Sequence, residues 1–145
     1  MTRPLIERCH EDGRELEEFL SERIYEFNAR ATGYFDGESF AMRQRQESGK
    51  VLSGISGYTW GGCCYVTHLW VAEAHRGKGW GRALLKKAED HAREKGCMVM
   101  LLSTHSFQAP GFYRRMDYVE QASVKDHPVG HSSIFYAKRL VPTAT

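Results

Sequence analysis

The stretch AHRGKGWGRALLKKAED, residues 74–90, constrains this 145-residue chain most, because it places three glycines within five positions directly before a helical pattern. Leu84, Leu85 and Ala88 recur at the spacing of one helix face, so a helix begins at or near the glycines. The run CCYVTHLWV before them, residues 63–71, is rich in β-branched and aromatic residues and predicts a strand. The chain therefore passes from strand to helix through a turn with little side-chain cover.

Apolar spacing and turn residues predict the remaining elements. We expect helices over 15–28, from the glycine turn to Gly96 and over 109–116, and further strands over 40–46, 51–60, 97–103, 118–124 and 132–140. The central helix should turn its charged residues to solvent, namely Lys86, Lys87, Glu89, Asp90 and Arg93. This order predicts an α/β or α+β fold with one strand–helix–strand crossover. Without a repeat or linker, it forms a single domain over residues 1–145.

Composition argues against several functions. A net charge of +2 is too small for a nucleic-acid groove or a polybasic membrane patch. No apolar run approaches the roughly 20 residues that cross a bilayer, and the charged N-terminal segment lacks the core of a signal peptide. The four cysteines include the adjacent pair Cys63 and Cys64 but no CxxC spacing, which argues against zinc and disulfides. We expect a cytoplasmic protein without a metal, a nucleic-acid partner or a membrane partner.

The glycine turn suits a phosphate group. The first N–H groups of a helix have no intrahelical acceptor and carry the positive end of its dipole. Glycines leave these groups uncovered, and Arg76 and Lys78 add positive charge. The dinucleotide fingerprint fails here at its third glycine, and the Walker A loop fails because Ala72 replaces its first glycine and Gly79 follows Lys78. A flexible turn that binds nothing is the alternative.

Residues 69–85, LWVAEAHRGKGWGRALL, resemble the signature [QR]-x-x-G-x-[GA] of the GCN5-related N-acetyltransferases, the GNAT superfamily. Arg76, Gly79 and Gly81 occupy its fixed positions. The resemblance implies that the turn holds the pyrophosphate of acetyl-CoA and that the preceding strand binds the pantetheine arm.

A second element, SFQAPGFYRRMDYV at residues 106–119, resembles the family pattern N-x-x-A-x-x-F-Y-x-x-x-G-F. Ala109, Phe112 and Tyr113 match it, Ser106 replaces the asparagine, and residues 117–118 replace Gly-Phe. The family fold that this implies is a mixed, mostly antiparallel twisted sheet of about six or seven strands, flanked by helices. Its strand–helix–strand core would bind acetyl-CoA through Leu69, Trp70, Val71, Arg76, Gly77, Lys78, Gly79, Trp80, Gly81, Arg82, Ser106, Ala109, Phe112 and Tyr113.

Acetyl transfer to an amine needs a proton donor for the departing thiolate, hydrogen-bond donors for the oxyanion and deprotonation of the amine. The resemblance implies that Tyr113 is the general acid and that N–H groups within residues 69–71 are the oxyanion donors. A core tyrosine beside Phe112 is the alternative for Tyr113.

The base is less well defined. Counting back along the strand, Tyr65 and Thr67 fall on the same face as Leu69, and neither is a usable base near neutral pH. His68 lies out of phase unless the strand bulges, and Glu73 stands at the strand end. His68, Glu73 and a water relay all stay open.

His105, His127 and His131 fall where a substrate could reach them, or else belong to a tight β-connection. The family implies a small-molecule primary amine as the acceptor, attacking acetyl-CoA directly in a ternary complex, and leaves a homodimer open. A CoA-binding module without catalysis, or an acetyltransferase acting on a protein lysine or N-terminus, are the alternatives.

Overall fold

The computed structural model describes residues 2–141, and the chain divides into two compact units between Phe35 and Asp36. The first unit contains helix α1, Gly13–Thr32, which includes the helix predicted over 15–28. It ends at Gly33, whose left-handed φ of 81° allows its N–H to donate to the Ala29 carbonyl at 2.7 Å.

The second unit is a six-stranded mixed sheet in the order β1-β2-β3-β4-β6-β5. Among the described strands only β3 and β4 are parallel, and they are the two strands joined by the predicted crossover helix. The strands are β1 Glu38–Arg45, β2 Val51–Trp60, β3 Cys63–Val71, β4 Val99–His105, β5 Val119–Lys125 and β6 Ser132–Arg139. The helices are α2 Trp80–Glu94, between β3 and β4, and α3 Pro110–Arg115, between β4 and β5. The predicted order of elements is confirmed.

The core of this unit lies where α2 and α3 pack on one face of the sheet. As predicted, the apolar positions of α2 are buried, and they join a single cluster with residues of both central strands. The cluster's main contributors are Leu84, Leu85, Ala88 and Ala92 of α2, Cys64 and Val66 of β3, Met100 and Leu102 of β4, Tyr113 of α3 and Tyr136 of β6. We call this side of the sheet the helix face, and the other side the open face.

Glu89 departs from the predicted solvent face of α2, because it is buried with 3% of its surface exposed. The Tyr118 hydroxyl donates to its Oε2 at 2.8 Å, and Lys138 Nζ lies 3.0 Å from its Oε1. Burial and the neighbouring Glu89 carboxylate raise the pKa of Tyr118 well above its usual range. Both partners come from beyond α3 in the chain, so the pairing that buries Glu89 is set by tertiary structure.

No helix of the described chain is both long and apolar enough to cross a membrane.

We predict that Glu89→Gln lowers the free energy of unfolding by about 3–5 kcal/mol, because it leaves the Lys138 ammonium without its buried counter-charge. Urea denaturation at neutral pH measures this. The matched control is Glu26→Gln on α1, where the pairs with Arg23 and Arg30 are solvent-exposed. This control should cost less than about 1 kcal/mol. Equal effects of the two substitutions would contradict a stabilising role for the buried pair.

Candidate active site

The glycine turn begins α2 with exposed backbone donors. Gly77 and Gly79 have φ angles of 76° and 81°, and Gly79 is the residue that caps α2. The first helical bond runs from the Ala83 N–H to the Gly79 carbonyl at 3.0 Å, which leaves the N–H groups of residues 80–82 without an intrahelical acceptor. The first turn of α2 contains no acidic residue. The N-terminus of α2 therefore presents the positive end of the helix dipole, with no acidic side chain in the first turn to offset it.

Side chains beside the turn add charge and fix its shape. Arg76, Lys78 and Arg82 are exposed cations. Arg76 Nε donates to the Val71 carbonyl at 2.9 Å, which ties the guanidinium to the end of β3. The His75 ring stacks on Trp80 with centroids 4.5 Å apart. Three cations around free N–H groups fit an anionic ligand such as a pyrophosphate.

Strands β3 and β4 separate next to this turn. Their ladder runs from Cys63 to Val66 on β3, and beyond Leu102 the described residues of β4 pair with β6 alone. The Ala72 N–H bonds to β2 at 2.8 Å, and backbone groups alternate along a strand. The N–H groups of Leu69 and Val71 therefore face away from β2, into the gap between β3 and β4.

A β-bulge at Thr67 corrects the predicted face assignment. His68 pairs with Ser56 and Val66 pairs with Gly57, so Thr67 is an extra residue in β3. The bulge reverses the alternation, and Tyr65 lies on the opposite face from Leu69. The prediction that Tyr65 and Thr67 continue the face of Leu69 and Val71 is therefore wrong.

His68 shares the open face with Tyr65, and its Nδ1 lies 3.4 Å from the Ser56 hydroxyl. Glu73, the other predicted base, lies exposed on a short 3-10 helix, Glu73–His75.

Tyr113 lies on the helix face, on the short helix α3 that was predicted over 109–116. It is 8% exposed, and its ring centroid lies 5.0 Å from that of Phe112 and 6.1 Å from that of Tyr136. Burial raises the pKa of Tyr113 to about 12. The hydroxyl therefore keeps its proton at neutral pH and can act as a donor.

Phe112 connects α3 to the glycine turn. A Cβ on Gly81 would lie 3.7 Å from both the Phe112 ring and a methyl carbon of Val71. The fold thus brings together the end of β3, the start of α2 and α3, which sequence analysis assigned to one site. Ala109 is the N-cap residue of α3.

Ser106 makes a backbone contact. Its hydroxyl accepts the Ser132 N–H at 3.0 Å, and its own N–H donates to the Ser132 carbonyl at 2.8 Å. These two bonds attach the residue that follows β4 to the first residue of β6.

Two polar groups at the end of β4 were missed. Gln108 Oε1 accepts the His105 N–H at 2.8 Å and the Thr104 hydroxyl at 3.0 Å. The buried hydroxyl of Ser133 lies 2.7 Å from His127 Nδ1 and 3.1 Å from His105 Nδ1. The contact of Ser133 with His105 joins residues 28 apart in the chain, and no local sequence pattern reports it. Over residues 2–141, no group of three or more His, Cys, Asp or Glu is arranged to hold a metal ion.

Comparison with known proteins agrees with this geometry. A model of the acetyltransferase (GNAT) family matches residues 3–118, and the chain belongs to that family. It is 38% identical over 104 residues to blasticidin-S acetyltransferase of Streptomyces morookaense, covering 71% of this chain and 76% of that protein. An acetyltransferase of Agrobacterium fabrum is 30% identical over 126 residues, or 87% of this chain and 92% of that protein.

Among solved structures, an acetyltransferase from Bacillus cereus superposes with a TM-score of 0.79 at 34% identity, covering 94% of this chain and 98% of that chain. The protein is an acyltransferase with the GNAT fold, a mixed sheet flanked by helices.

We predict opposite effects of alanine at the two glycines of the turn. Gly79→Ala forces a side chain into a left-handed conformation and should destabilise the protein by about 1–2 kcal/mol. Gly81→Ala finds only ordinary van der Waals neighbours and removes a glycine from a helix, so it should stabilise by up to about 1 kcal/mol. Denaturant unfolding of both variants tests this. A Gly79→Ala variant as stable as the parent would contradict the conformation of the turn.

Proposed function

We propose that the protein transfers the acetyl group of acetyl-CoA to a primary amine of a small molecule, by direct attack in a ternary complex. The observation that carries the proposal is the gap between β3 and β4, which has backbone donors on one side and the glycine turn at its end. The name of the Streptomyces relative supports a small-molecule acceptor, since that protein is a blasticidin-S acetyltransferase. In this proposal residues 1–145 act as one catalytic domain in the cytoplasm.

Acetyl-CoA fits the described residues in two parts. The pyrophosphate would be held by Gly77, Gly79 and the N–H groups of residues 80–82, with charge from Arg76 and Lys78. The pantetheine arm would lie along residues 69–71, where strand backbone on the gap side lacks β4 as a partner. Ser106, Ala109 and Phe112 would line the remaining wall. Bound there, acetyl-CoA supplies a thioester whose carbonyl carbon accepts the amine.

The chain's own groups would then do three things. The N–H groups of Leu69 and Val71 face the gap and would stabilise negative charge on the carbonyl oxygen. Tyr113 would donate a proton to the leaving sulfur, and its raised pKa keeps that proton in place over the working range. The aromatic rings around Tyr113 would exclude water from the proton donor.

The deciding experiment measures free thiol release with acetyl-CoA and a panel of small primary amines, a lysine peptide and a peptide with a free N-terminus. We expect acceptor-dependent release with at least one small amine, and acetyl-CoA binding by calorimetry. Binding without release from any acceptor would favour a CoA-binding module. Greater activity on the peptides would favour a protein substrate, and failure to bind acetyl-CoA would refute the cofactor assignment.

We predict that Tyr113→Phe lowers kcat by about a hundredfold while the Kd for acetyl-CoA changes little, because the hydroxyl acts only as the bond to sulfur breaks. Since the pKa of Tyr113 is about 12, the parent enzyme should show no alkaline loss of rate from this group up to about pH 10. Steady-state rates against pH and calorimetry measure both quantities.

The control for this prediction is Tyr136→Phe, another buried tyrosine, whose hydroxyl donates to the Pro110 carbonyl at 3.5 Å. It should keep nearly full activity. Equal losses of kcat and acetyl-CoA affinity in Tyr113→Phe would indicate a structural role instead.

A further inference from the structure

A compact polar cluster closes the end of β4. His105 Nδ1 lies 3.0 Å from the His127 carbonyl oxygen and 3.1 Å from Ser133 Oγ, and Ser133 is buried. The His105 ring stacks on Phe107 with centroids 5.3 Å apart and meets the edge of His127 at 5.2 Å. The imidazole of His105 is therefore held in one orientation by backbone, hydroxyl and aromatic contacts.

These contacts favour a proton on Nδ1 of His105. A carbonyl oxygen can only accept, so the contact with His127 is a hydrogen bond when Nδ1 carries the proton, and the Ser133 hydroxyl can donate to the same carbonyl at 3.2 Å. In the neutral ring, Nε2 is then the nitrogen with the free lone pair. Protonation of Nε2 leaves the bond at Nδ1 intact, so the ring can gain and lose a proton without turning.

Strand register places His105 across the gap from the proposed oxyanion donors. The parallel ladder pairs Cys63 with Val99 and Val66 with Leu102, a constant offset, and His105 lies three residues beyond the last pair. If the same offset is applied to His105, and one residue is added for the bulge at Thr67, His105 lies level with residues 69–70 of β3. His105 thus stands at the height where the acetyl group would lie.

His105 and Tyr113 lie on opposite faces of the sheet. Met100 and Leu102 point into the core on the helix face, and side chains alternate along a strand, so His105 lies on the open face. Tyr113 belongs to the core on the helix face. A proton acceptor and a proton donor therefore flank the gap from opposite faces.

We propose that Nε2 of His105 is the general base that deprotonates the acceptor amine; this inference rests on the proposed function. One N–H bond of the ammonium breaks, its proton forms the Nε2–H bond of an imidazolium, and the freed lone pair attacks the thioester carbonyl. The imidazolium later returns its proton to solvent. The C–N bond forms and the C–S bond breaks, and Tyr113 gives its proton to the departing sulfur. The nitrogen loses its second proton to solvent, and solvent returns a proton to the Tyr113 oxygen.

His68 is the competing histidine on the open face. Its Nδ1 lies 3.4 Å from Ser56 Oγ, a hydroxyl that can donate or accept, so that contact does not select a tautomer. Two further histidines belong to the surroundings of His105: His127 meets its ring edge-on, and His131 contacts Phe107, which stacks on His105, with centroids 4.9 Å apart.

The kinetic test compares His105→Asn, His68→Asn and the exposed control His10→Asn. Asparagine can keep the donor to the His127 carbonyl and removes the base. We expect His105→Asn to lower kcat near pH 7 by about 10²- to 10³-fold, with unchanged acetyl-CoA affinity. The loss should shrink as pH rises and be partly restored by added imidazole, whereas His68→Asn and His10→Asn should stay close to the parent.

A second readout does not depend on turnover. Long-range ¹H–¹⁵N spectra of the parent protein at alkaline pH should show the proton of the neutral His105 ring on Nδ1, and a proton on Nε2 would overturn the proposal. So would a parent enzyme that acetylates amines while His105→Asn keeps its rate and pH profile, or a larger loss in His68→Asn. If the parent acetylates no amine, the proposed function is refuted instead. The tautomer of His105 can still be measured in that case, because the spectra do not depend on turnover.

Discussion

The layout of the site depends on one extra residue in a strand. Thr67 bulges out of β3, where two residues of this strand stand opposite one of β2, and the ladder to β4 ends just before it. Beyond this point β3 remains bonded to β2 on one side only. Strand N–H groups that lose a partner need another acceptor, and Leu69 and Val71 therefore direct polar groups into the gap between β3 and β4. If the ladder between β3 and β4 continued to the ends of both strands, no opening would remain for a ligand.

The bulge is compatible with the sheet because of its partner. Gly57 lies opposite the bulge, and a side chain there would come within 2.9 Å of the Phe40 ring. Glycine lets the two strands and the aromatic ring approach closely. The gap on one side of β3 is thus matched by unusually tight packing on the other.

Local signals were enough to predict the order of elements, the buried face of α2 and the glycine turn, because each depends on residues close together in the chain. The bounds of β2 and β3 were predicted to the residue. The bulge was not, because nothing in the residues around Thr67 distinguishes it from a regular strand position. The burial of Glu89 and the contact of Ser133 with His105 were also missed, since these partners lie 28 or more residues apart in the chain. The roles of the site residues stay predictions.

Gly81 of α2 lies beside both Phe112 of α3 and Val71 of β3, so three elements meet at this glycine. Helix α3 has only six residues, too few to hold a helical shape alone. Its orientation is therefore set by its packing, through Tyr113 in the core and through Phe112 beside the glycine turn. The adjacent residues Phe112 and Tyr113 thus link the glycine turn directly to the proposed proton donor.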